Sequence, residues 1–133
     1  MKLIKQIGPR CMIYATAMLF DCDPKEVSDF VGHDGVGEDV IGIHIQEVQK
    51  FAMSKGYVLA LFEPAPVLND SVIHVWDDNE FFKFEGLMLG QTSKGANHCV
   101  AWDGEKIFDP RSIEDFAALR QFWAKVKLDL KSF

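Results

Sequence analysis

The chain has 133 residues, room for one domain with a core of its own, and 48% hydrophobic against 26% charged residues is ordinary globular composition. Fourteen basic against 20 acidic residues give a net charge of -6 and a pI near 5.1, which argues against a nucleic-acid or anionic-membrane surface built on clustered Lys and Arg. No apolar stretch approaches the roughly 18 residues that span a bilayer, and no signal-peptide pattern follows Lys2 and Lys5, so a cytoplasmic, reducing setting is the expectation.

From the N-terminus, the breaker Gly8-Pro9 precedes Cys11–Phe20, an almost wholly apolar run that predicts a buried helix starting at Cys11. Asp23-Pro24 supplies a cap and a first-turn proline for a short helix over Lys25–Val31, closed by Gly32. A Gly-rich loop, Gly32–Gly42, follows. Ile45, Val48, Phe51 and Ala52 then recur at helical spacing within a predicted helix Ile43–Lys55, ended by Gly56.

The second half changes to strand patterns. Tyr57–Phe62, Gly86–Gln91 and His98–Trp102 are expected strands, Val72–Trp76 is a further candidate, and Asp103-Gly104 predicts a two-residue hairpin turn. A short helix is expected over Ile113–Leu119, and Ala124–Leu130 alternates as a final edge strand would. Helices first and an antiparallel sheet afterwards make an α+β domain occupying residues 1–133.

The three cysteines, an odd number, exclude a complete set of internal disulfides. Cys11 is the one with a chemical setting. A helix start carries about half a positive charge, which favours a thiolate, and its free N–H groups can stabilise an oxyanion. Arg10 beside it is expected to lower the thiol pKa further. With a two-residue turn Trp102 faces Glu105, and the same register sets His98 opposite Asp109 with Cβ atoms roughly 5 Å apart. That carboxylate would then orient the imidazole toward a thiol. A one-residue change of loop length would instead oppose Cys99 and Asp109. Gln6, five positions before Cys11, offers a second oxyanion donor.

Gln6-Ile7-Gly8-Pro9-Arg10-Cys11 ahead of an apolar helix, then Asn97-His98-Cys99-Val100 and Phe108-Asp109-Pro110, resembles the C39-like branch of the papain-like cysteine peptidases, which includes small stand-alone and phage-encoded domains. The resemblance implies a papain-like fold, with Cys11 as nucleophile, His98 as general base, Asp109 as its orienter and Gln6 in the oxyanion hole. The family usually places its Gln six residues before the Cys, and Arg10 and Met12 stand where members often carry an acidic or amide residue and a Gly.

Other residues have competing readings. Cys22 is expected to be inert, and Cys99 to point into the core from the face opposite His98. His74 competes as a base but has no following hairpin to return a carboxylate. His33 and His44, with Cys22, Asp34, Glu38 or Asp39, are possible metal ligands without a CxxC or HExxH spacing, and no metal or organic cofactor is expected. Aromatics around Asp77, Asp78 and Glu80 suit plain packing or a peptide groove. The expected function is a cysteine hydrolase, a peptidase acting on a peptide or protein through a thioester acyl-enzyme. The alternatives are an inactive papain-like binding or inhibitor module, and a cysteine acyltransferase or deamidase.

Overall fold

The computed structural model describes residues 1–37, 40–62, 80–111 and 115–129. Among the described residues three α-helices stand against an antiparallel five-stranded sheet, so the chain is α+β as its pattern predicts. Helix α1 spans Cys11–Leu19, α2 Pro24–Val31 and α3 Ile45–Ser54. The Gly-rich loop is more structured than expected: β1 (Val36–Gly37) and β2 (Val40–Ile41) pair antiparallel within it. The large sheet comprises β3 (Tyr57–Phe62), β4 (Gly86–Gln91), β5 (Asn97–Trp102), β6 (Ile107–Phe108) and β7 (Ala118–Lys127), in the spatial order β3-β7-β4-β5-β6. The candidate strand Val72–Trp76, with His74, Trp76, Asp77 and Asp78, lies outside the described residues, as do Glu38 and Asp39.

Helix α1 has apolar residues all round because it is enclosed. Ile13, Ala15, Ala17, Met18 and Leu19 are buried with Val27 of α2, Val48 and Phe51 of α3, and Leu59, Leu87, Cys99 and Ala101 of the sheet. The opposite sheet face carries a second core of Met88, Val100, Phe122 and Ala124, backed by Phe82, Trp102 and Phe116. Alternation along β5 thus sends Cys99 toward α1 and His98 to the other face. Lys125 reaches back from β7 to donate to the Leu19 carbonyl, 2.9 Å, placing a cation at the C-terminal end of α1. Asp23 caps α2 through the Lys25 N–H, and Gly32, at φ +92°, ends it.

Two expectations at the C-terminal end are corrected. Ala118 and Leu119 belong to β7, and Asp115–Ala117 is irregular, so the described part of Ile113–Leu119 is not helical. The final strand is also not an edge. It starts at Ala118 and lies between β3 and β4, hydrogen-bonded on both sides, because the large apolar residues Phe122 and Trp123 precede the stretch whose alternation suggested an edge. Among the described residues no helix is long and apolar enough to cross a membrane.

Candidate active site

The turn before α1 is set by Gly8, at φ +72°, which lets the Arg10 N–H donate to the Gly8 carbonyl at 2.9 Å. Arg10 then locks the turn: Nη1 donates to the Ile7 carbonyl at 2.6 Å, and Nε and Nη2 reach Asp34 Oδ2 at 3.1 and 2.9 Å. Cys11 follows as the first residue of α1, half-buried. The N-terminal segment is tied to the far side of the site by Gln6 N–H donating to the Pro110 carbonyl, 2.8 Å. Gln6 Nε2 donates to Gly8 O at 2.7 Å, and its Oε1 is buried without a partner among the described residues.

His98 and Asp109 meet as expected, by a different register. The observed pairs are Ala101 with Phe108 and Trp102 with Ile107, so the connection is the four residues Asp103–Lys106 and not a two-residue turn. Asp103 widens it. Its Oδ1 accepts from the N–H groups of Glu105 and Lys106 at 2.8 and 2.7 Å, while Gly104 takes φ +97°. His98 Nε2–H donates to Asp109 Oδ1 at 2.8 Å, with both side chains about 1% exposed, and the Arg111 N–H donates to the same oxygen at 2.8 Å. With Nε2 engaged, Nδ1 is the ring nitrogen left to take a proton.

Cys11, His98 and Gln6 line one cavity of about 1130 Å³. No hydrogen bond joins Cys11 to His98 among the described residues. The thiol departs from the electrostatic expectation. Burial pushes its pKa up, and the backbone N–H groups of Cys99 and Met12, then the Arg111 charge, only partly offset this. Arg10, committed to Asp34, is not among the groups that favour the thiolate; Arg111 is. Cys99 is buried against α1, with its thiol pushed well above the ordinary value by burial. Cys22 is raised to about 11, again mainly by burial.

The remaining histidines serve the loop and the cap of α3. His33 Nε2 lies 2.7 Å from Glu47 Oε2, its Nδ1 accepts from the Gly35 N–H at 3.1 Å, and Glu47 Oε1 accepts from the His44 N–H at 2.9 Å. No cluster of three metal-ligating side chains exists among the described residues.

Sequence reasoning missed two contributors to the site. Gly90 pairs with His98 across β4 and β5, and a Cβ there would stand 1.9 Å from the Ala118 carbonyl oxygen. A glycine inside a strand pattern is the signal for such a close approach. Arg111, two residues beyond Asp109, had no signal in spacing alone, since only the return of the hairpin brings it toward Cys11. No family model, curated protein or solved structure matches this chain.

Proposed function

We propose that this protein is a cysteine hydrolase of papain-like fold, of the kind its C39-like motifs suggest, and that it cleaves peptides. The observation that carries this reading is the convergence of a helix-start thiol and a buried, carboxylate-held imidazole on one open cavity. The raised thiol pKa makes His98 a general base during attack, as opposed to one half of a resting thiolate–imidazolium pair. Nδ1 draws the proton from Cys11, and the sulfur adds to the amide carbonyl. The Cys11 backbone N–H and the second N–H of the Gln6 amide take the oxyanion. His98 then protonates the leaving amine, and water, activated by the same imidazole, clears the thioester. Contacts between nucleophile and base are commonly long in a free enzyme and tighten with substrate in place.

The experiment is labelling with an electrophilic peptide probe, followed by detection of a thioester on mixing with a peptide library. Modification confined to Cys11, lost in Cys11→Ala and in His98→Ala, supports the reading. Equal labelling of the Cys11→Ala protein, or no labelling at all, overturns it. The half-buried thiol, with its pKa raised by burial, also suits an inert binding module on the same scaffold, and a Cys11→Ala protein that keeps its binding partners and its biological effect favours that second reading. Deamidation or acyl transfer in place of hydrolysis is read from the mass of the product.

A further inference from the structure

The chain contains eleven lysines and three arginines, Arg10, Arg111 and Arg120. All three arginines line the cavity at Cys11, and none of the described lysines does. In a protein of net charge -6, that segregation concentrates positive charge at one place. The type matters as well as the sign. Guanidinium presents a planar fork of donors matched to a carboxylate, whereas lysine is a flexible point charge. Arg10 is spent on Asp34, the one acid among the described residues lining the cavity. Among the described residues, neither of the other two forms an ion pair with a carboxylate. Arg120 Nη2 donates to the neutral Gln91 Oε1 at 3.2 Å. The Arg111 guanidinium makes no hydrogen bond among the described residues, although its charge is felt by Asp115, whose carboxylate Ser93 binds through its N–H and hydroxyl. Both arginines are exposed. Arg111 is also near enough to Cys11 to lower the thiol pKa.

We infer that the cavity takes an acyl substrate bearing a carboxylate close to the bond attacked, gripped by Arg111 and Arg120 while Cys11 reacts. The carboxylate belongs either to an acidic side chain or to a free peptide C-terminus. This deepens the hydrolase reading and rests on it for the word substrate, but the anion preference is testable without turnover.

The test compares alkylation of Cys11 by iodoacetate and by iodoacetamide. In each the sulfur attacks the methylene carbon, the C–S bond forms, the C–I bond breaks, iodide leaves and the thiol proton goes to solvent. Their rate ratio cancels any change in the thiol pKa. The expected ratio at low salt exceeds that of a neutral free thiol by about tenfold. It falls stepwise toward the reference in Arg111→Gln and Arg120→Gln, and with rising ionic strength. As a second measurement independent of reactivity, the Cys11→Ser protein is expected to bind N-acetyl-glutamate in preference to N-acetyl-glutamine. Peptides differing only in a free or amidated C-terminus then separate the two carboxylate sources. A ratio equal to the reference in wild type and in both arginine variants, or equal binding of the two amino-acid derivatives, overturns the inference. So does protection of Cys11 by inorganic phosphate at concentrations where N-acetyl-glutamate gives none. If the preference holds while no peptide is ever cleaved, the carboxylate site stands and the hydrolase reading falls.

Discussion

His98 Nε2 stands 2.8 Å from Asp109 Oδ1 although the hairpin that carries them does not set the two residues opposite each other. Continued one residue beyond Phe108, the observed register places Asp109 across from Val100, so His98 is its diagonal neighbour on the same sheet face. Diagonal pairs lie within reach of long side chains. The two-residue lengthening of the turn therefore moved the pair without changing its face. A one-residue change would have turned Asp109 away.

Asymmetry at the Asp109 carboxylate leads to a first prediction. Oδ1 accepts two hydrogen bonds, while Oδ2 is buried with none among the described residues. Asp109→Asn, with its carbonyl in the Oδ1 position, keeps both bonds and is expected to cost no more than about 1–2 kcal/mol of stability. Asp109→Ala strands the buried His98 ring N–H and the part-buried Arg111 N–H, and is expected to cost about 2–3 kcal/mol. Denaturant unfolding measures both. On peptide substrate, Asn is expected to lower kcat by roughly 10-fold or more through loss of charge behind the imidazolium, and Ala to lower it further.

The Cys11 thiol is expected to behave as a buried thiol until substrate arrives. Because burial holds its pKa above the usual 9.0, iodoacetamide alkylation followed by mass spectrometry is expected to accelerate with pH to beyond 9. A plateau reached below pH 7 would show instead a resting thiolate–imidazolium pair. His98→Ala is expected to leave this alkaline profile close to wild type while abolishing peptide cleavage.

Acid stability is expected to respond to Glu47. The His44 backbone N–H binds its charged form and lowers its pKa from 4.5; burial opposes this in part, and His33 adds a smaller lowering. The unfolded chain therefore binds this proton more readily. The contribution is complete above about pH 4.5 and is lost as pH falls through the folded-state value. Glu47→Gln, which keeps a cap acceptor, is expected to flatten the acid limb of a pH–stability curve. Glu47→Ala removes the cap and is expected to cost about 1 kcal/mol at pH 7.

Gly90→Ala probes the crowding beside His98. A Cβ would stand 1.9 Å from the Ala118 carbonyl and 2.8 Å from the Phe116 ring, at the point where the β4–β7 register shifts. Strands must part or β7 must move, and the expected cost is about 3 kcal/mol, with a clear drop in Tm. Gly95→Ala is the control for substitution of a glycine as such: nothing lies within 4 Å of its Cβ position, and it suffers only the strain of its φ of +82°.

What the sequence determined by itself was local. The apolar run after Gly8-Pro9, the Asp23-Pro24 start, the helical spacing through Phe51 and the strand patterns at Tyr57–Phe62 and Gly86–Gln91 each follow from backbone preference and from which side chains must leave water. Alternation placed His98 and Asp109 on one face and Cys99 on the other, because strand periodicity survives a two-residue error in the turn. Tertiary structure decided the rest. The insertion of β7 between β3 and β4, the capture of Arg10 by Asp34 and the approach of Arg111 to Cys11 all join residues distant in the chain. The thiol pKa belongs with them. A helix start and a neighbouring arginine favour a thiolate, but the cost of burying charge depends on what surrounds the sulfur, and only the assembled fold sets that.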